Sequence, residues 1–176
     1  MKRNSINKML KISLFSALIA VSAMISIPFP VPVTLQTFAI FLAFFTIGGG
    51  GTLPAVLIYT ALGIVGLPVF AGFNSGIGYI LGATGGFVIA FVISAFVFLS
   101  FELAFGKSKK KRLCYSLVAL ILIYLIGSIW FAVVYSKSEG FFAALAVCAL
   151  PFIPIDLIKL GLAYTVSKRL NKIIGF

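Results

Sequence analysis

Asp156 and Lys159 stand three residues apart in the stretch PFIPIDLIKLGLAYT (residues 151–165), which is otherwise strongly apolar. A carboxylate and an ammonium at that spacing share one face of a helix. They can make charge-assisted hydrogen bonds to each other or to a small polar ligand. Pro154 suits the first turn of a helix, so Asp156 is expected in that turn, where the positive end of the helix dipole favours a carboxylate. Ionisable groups in such runs point to function by default. The competing reading is a self-satisfied pair that only fixes helix packing. Residue types alone do not separate the two.

Other chemistry fails on residue supply. The chain has no histidine and three acids, Glu102, Glu139 and Asp156. Glu102 lies near the basic end of its apolar segment, where a lysine neighbour is expected to satisfy it. Glu139 falls in a loop beside Lys137. Neither can form an acid/base couple with Asp156, so no catalytic residue is assigned and the chain is not read as an enzyme. Cys114 and Cys148 belong to no CxxC pair and read as small buried hydrophobes; no metal site is expected. The run GGGGTLP (48–54) lacks the Gly-Lys-Ser/Thr ending of a phosphate-cradling loop. It reads as a tight turn between two helices. One acid inside an apolar run also argues against ion coupling.

The elements that position the pair follow from composition. The chain of 176 residues is 62% hydrophobic and 10% charged, with a mean hydropathy of +1.23. That is an all-α integral membrane protein, read as one membrane-embedded domain over 1–176. Six spans are expected, at 10–27, 35–49, 52–68, 85–105, 113–135 and 153–170. A further apolar stretch, 140–150, is too short to cross. The first segment has the look of a secretory signal but is read as a mature helix. The net charge of +11 gathers at segment ends: Lys2, Arg3, Lys8 and Lys11; GKSKKKR (106–112); Lys168, Arg169 and Lys172. Placing both termini in the cytoplasm puts all three clusters on one side. This is the pattern of membrane anchors and not of a nucleic-acid groove.

Two outer loops supply further polar groups. The stretch GLPVFAGFNSGIGYILGATGG (66–86) carries Asn74, Ser75, Tyr79 and Thr84, with Gly72, Gly76 and Gly78 permitting close backbone approach. The stretch PFPVPVTLQT (28–37) carries Thr34, Gln36 and Thr37, stiffened by Pro28, Pro30 and Pro32. A polar strip over an apolar bundle suits a small ligand with few polar atoms. In the first span, Ser13 and Ala17, and Ser16 and Ala20, form small-xxx-small pairs. These suit close approach of a partner helix or, equally, internal packing.

The segments PFPVPVTLQTF (28–38), GLPVFAGFNSGIG (66–78), GATGGF (82–87) and PFIPIDLIKLGLA (151–163) together resemble the BioY family. Its members are the biotin-binding substrate subunits of energy-coupling-factor vitamin transporters. Three positions depart from the family pattern. Ala83 replaces a frequent proline, Ile155 precedes Asp156 where glycine is frequent, and the first helix uses serine within an alanine-xxx-alanine pattern.

The resemblance implies a six-helix subunit of a bacterial cytoplasmic membrane that binds biotin from outside. It implies a transmembrane coupling subunit and two ATPase subunits as partners, toppling in the membrane to release the ligand, and no cofactor. Carried over, Asn74, Asp156 and Lys159 become polar contacts to the ligand. Tyr79 becomes a further candidate, and Thr34 and Gln36 line the approach. A ureido ring offers two N–H donors and a carbonyl. Asp156 would accept from an N–H, and Lys159 would donate to the carbonyl or to the tail carboxylate. A subunit for another vitamin, and a ligand-free assembly protein, are the alternatives.

Overall fold

The structure, a computed structural model, describes residues 2–29, 31–134, 145, 146 and 148–174. Pro30, the Lys137–Glu139 pair and most of the 140–150 stretch lie outside the described residues. The chain runs from helix α1 (Lys2–Met24) into a short antiparallel hairpin, β1 (Ser26–Ile27) and β2 (Val33–Thr34), in register Ser26 to Thr34. Helices α2 (Gln36–Thr46) and α3 (Gly49–Val65) follow. A 3-10 turn (Ala71–Phe73) and the one-turn helix α4 (Ile77–Leu81) fill what the sequence presents as loop. Then come α5 (Gly85–Phe105), α6 (Lys109–Val134) and α7 (Ile153–Ile174).

The expected 85–105 span coincides with α5, and α7 begins where the sixth was expected. The first helix starts earlier, at Lys2, because its basic end continues the helix beyond the apolar run. Three described segments are long and apolar enough to cross a bilayer unaided: Ser5–Met24, Gly85–Phe105 and Lys109–Val134. The second expected span shrinks to 11 residues, about 16 Å of helix against a hydrocarbon core of about 30 Å. Its surroundings explain why that suffices. In α2 every residue except Phe38 is buried, as expected of a helix apolar all round. It packs against α1, α3, α6 and α7, so protein covers it on every side.

Aromatic and glycine pairs lock this bundle. Phe44 of α2 stacks on Phe98 of α5 with ring centroids 4.0 Å apart, and Phe98 meets Tyr115 of α6 edge-on at 5.8 Å. Helices α5 and α6 run antiparallel in close contact. The Phe87 ring fills the space that a side chain at Gly127 would take, and Trp130 does the same at Gly86. Trp130 also donates its indole N–H to the Gly82 carbonyl at 2.9 Å, tying α6 to the loop before α5.

Two expectations need correction at the basic end. Of the four glycines, only Gly48 makes the turn, at φ +67°; Gly49–Gly51 begin α3. A side chain at Gly49 would meet the Leu99 backbone at 2.6 Å, so glycine lets α3 start against α5. Glu102 is satisfied by arginine and backbone, not by lysine. Arg112 Nε lies 2.6 Å from its Oε1, and the Gly49 N–H donates to its Oε2 at 2.7 Å. The small residues of α1 divide: Ser16 and Ala20 are buried within the bundle, whereas Ser13 and Ala17 face outward.

Candidate ligand-binding site

Asp156 lies in the first turn of α7, as the proline implied. It is 4% exposed, and Lys159 is 8% exposed. One turn of helix brings the Lys159 Nζ to 2.6 Å from Asp156 Oδ1. The pair is not isolated. Thr37 of α2 donates its hydroxyl to Asp156 Oδ1 at 2.9 Å, and Tyr124 of α6 donates to Oδ2 at 2.8 Å. Lys159 also donates to the Thr34 carbonyl of β2 at 2.7 Å and to the Thr37 hydroxyl at 3.3 Å. All three ammonium protons are thereby used, and the carboxylate accepts three hydrogen bonds with one lone-pair site to spare. Buried charges are tolerated only when compensated this fully.

The cluster forms the polar floor of a cavity of about 70 Å³. Phe87, Phe91, Ile123, Phe152 and Cys148 supply apolar lining, and residues 31–34, which include β2, line it too. Tyr79 and Thr84 reach in from the segment between α3 and α5. The Tyr79 ring stacks on Phe70 at 4.9 Å. Burial raises the Tyr79 phenol above its ordinary value, partly offset by Thr84 and Ala71, so it acts as a neutral hydroxyl. Gln36 is buried on the cavity wall. Its amide faces the Tyr59 hydroxyl without completing a hydrogen bond of ordinary geometry.

Of the residues singled out in the sequence, Asp156, Lys159, Tyr79, Thr34 and Gln36 all line this cavity. Thr34 contributes its carbonyl to Lys159, while its hydroxyl accepts from the Gln36 N–H at 3.3 Å. Asn74 does not line the cavity. Its amide donates to the Ala71 carbonyl at 2.7 Å and fixes the 3-10 turn. That turn bends through Gly72 and Phe73, both at positive φ. Sequence reasoning missed Tyr124 altogether. A tyrosine in an apolar helix gives no local sign of a carboxylate 32 residues away.

A helical, multi-pass membrane protein enclosing a small cavity over a compensated charge pair is the class that fold and site define. The chain belongs to the BioY family, whose family model matches residues 1–176. It is 42% identical over 161 residues to a probable biotin transporter BioY of Pyrococcus horikoshii, covering 91% of this chain and 93% of that protein. It is 38% identical over 172 residues to the biotin transporter BioY of Thermotoga maritima, covering 94% and 96%. Among solved structures, it is similar to the crystal structure of the S-component for biotin from an ECF-type ABC transporter. The TM-score is 0.85 at 26% identity, over 98% of this chain and 94% of the other.

Proposed function

We propose that this chain is the substrate component of an energy-coupling-factor uptake transporter and captures biotin in the cavity over Asp156 and Lys159. The observation that carries the reading is the buried Asp156–Lys159–Thr37–Tyr124 cluster on the floor of a mainly apolar cavity. It suits a ligand with one compact donor–acceptor head and an apolar body. A ureido ring supplies two N–H donors and a carbonyl. Asp156 keeps one acceptor site for an N–H, and Lys159 can redirect one proton from a protein acceptor to a ligand oxygen. The thioether and alkyl chain pack against Phe87, Phe91 and Phe152. The cavity, at about 70 Å³, is well short of the few hundred Å³ of an occupied ligand site. Binding therefore moves a wall, and the hairpin and the 71–84 segment are the parts not held inside the bundle. Closure of the 71–84 segment brings Asn74 to the ligand.

The chain works as one substrate-binding domain over 1–176, with six spans and both termini in the cytoplasm, so that its basic clusters share one side. It crosses the cytoplasmic membrane and carries no catalytic residues. ATP is hydrolysed by two separate ATPase subunits and coupled through a transmembrane partner. The outward Ser13 and Ala17 of α1 suit that partner's helix.

A binding isotherm with biotin on the detergent-solubilised chain tests this, with thiamine and riboflavin as competitors. Saturable binding unaffected by the competitors supports it. Tighter binding of either competitor moves the assignment to another vitamin. Biotin amide, run alongside, decides whether Lys159 meets the ureido carbonyl or the tail carboxylate: equal affinity points to the carbonyl. One observation favours a second reading, a purely structural pair: Lys159 is already saturated by protein acceptors. That reading predicts no ligand-dependent thermal shift.

A further inference from the structure

The basic end of the bundle, opposite the Asp156 cluster, holds a second cavity of about 540 Å³. It opens between the first turns of α1, the α2–α3 turn, the end of α5 and the loop into α6. Lys8, Lys11, Lys107 and Arg112 line it, against the single carboxylate of Glu102. That carboxylate is committed to Arg112 and to the Gly49 N–H. Arg112 also donates to the Phe45 carbonyl at 3.3 Å, which caps the end of α2. The acid and the guanidinium neutralise each other and form a fixed floor. The lysines above them leave an excess of positive charge facing the cavity.

Lys8 and Lys107 are exposed, and neither has an ion pair or hydrogen bond among the described residues. Like charges gathered around one concavity repel, and a multi-oxygen anion relieves that repulsion. Gly50 leaves the wall open, since a side chain built there would meet nothing within 4 Å. Exposed apolar residues stand next in sequence to the lining residues on both sides, on the lipid-facing surface beside the cavity. Met9 and Leu10 flank the lysines of α1, and Leu103 and Phe105 precede Lys107; all four are exposed. A free anion would use the cavity and leave that surface unused. An amphiphile uses both, and the helix ends put this level at the headgroup region of a bilayer.

We infer that this cavity seats the phosphate of an anionic phospholipid, with its acyl chains against Met9, Leu10, Leu103 and Phe105. The inference does not depend on which ligand occupies the cavity over Asp156.

Native mass spectrometry of the detergent-purified full chain tests it, with phosphatidylglycerol and phosphatidylcholine of equal chain length. Phosphatidylglycerol should bind about tenfold or more tightly than phosphatidylcholine, and the Lys8→Gln/Lys107→Gln variant should lose that preference. A Lys168→Gln/Lys172→Gln variant removes the same charge from the end of α7, outside this cavity, and should keep it. Thermal melts of both variants verify folding. Equal binding of the two lipids overturns the proposal, as does equal loss of preference in both variants. Inorganic phosphate that displaces the lipid at matched concentration overturns the lipid assignment in favour of a free anion. If an acidic soluble peptide binds more tightly than the lipid, the cavity is a protein-docking site and the proposal fails.

Discussion

Asp156→Asn removes one charge from the cluster and nearly nothing of its volume. In the wild type, Oδ1 accepts from Lys159 at 2.6 Å and from Thr37 at 2.9 Å, and Oδ2 accepts from Tyr124 at 2.8 Å. An amide cannot accept at both positions. With its oxygen towards Lys159 and Thr37, its NH₂ can donate to the Tyr124 oxygen only if that hydroxyl gives up its own bond; turned the other way, the NH₂ meets the Lys159 ammonium. The ammonium, 8% exposed, then stays buried with neutral partners only. Breaking a buried pair from one side costs about 3–5 kcal/mol. Biotin affinity should fall at least about 100-fold, since the ligand loses its charged acceptor. Isothermal titration and a thermal melt read the two effects separately. The double variant Asp156→Asn/Lys159→Met separates a binding role from a structural one. With both charges gone no orphan ion remains, so stability should return to within about 1–2 kcal/mol of wild type. Binding should not return. If the double variant recovers stability and binding together, the pair is only a helix lock. If Asp156→Asn binds biotin like wild type and melts within about a degree of it, the reasoning about the cluster is wrong.

Tyr124→Phe deletes one hydrogen bond to a buried carboxylate and should cost about 1.5–3 kcal/mol in denaturant unfolding, with a measurable drop in biotin affinity. Gly63→Ala drives a methyl into the Phe70 ring, which is fully buried between Tyr59 and Tyr79. A loss of about 1–3 kcal/mol in the same assay is expected, and an unchanged midpoint would contradict that packing. Cys148 is buried on the cavity wall, and burial pushes its thiol up to about 11. A small alkylating reagent followed by mass spectrometry should label exposed Cys114 first at neutral pH. Cys148 should react faster as pH rises towards 11, as its thiolate forms, and biotin should slow that reaction.

The pair Asp156 and Lys159 was legible because two charges in an apolar run have few permitted explanations, and Pro154 fixed their place in the helix. Helix α5 was legible end to end, since its apolar run stops at glycine on both sides. The partners of the pair were not. Thr37 is 119 residues from Asp156 and Tyr124 is 32 residues away; no periodicity links them, and only the packing of α2 and α6 against α7 does. The length of α2 was illegible for a related reason. Hydropathy reports what a helix can face, not whether protein or lipid covers it. For Glu102, a cluster of four lysines and one arginine outvoted geometry. Arg112 holds it because a planar, multi-donor group can serve the carboxylate and the Phe45 carbonyl together. Asn74 stood out by type, yet local backbone claims its amide first.

The Thr34 carbonyl on Lys159 has a kinetic consequence. It acts as a resting occupant of the lysine, so capture of a ligand oxygen is a one-for-one exchange and the ammonium is never bare. The exchange moves with the hairpin, because Thr34 is paired to Ser26 across it. Loosening the hairpin therefore quickens arrival and departure alike while the equilibrium shifts little. The time a ligand spends in the cavity is set by the strand at its wall.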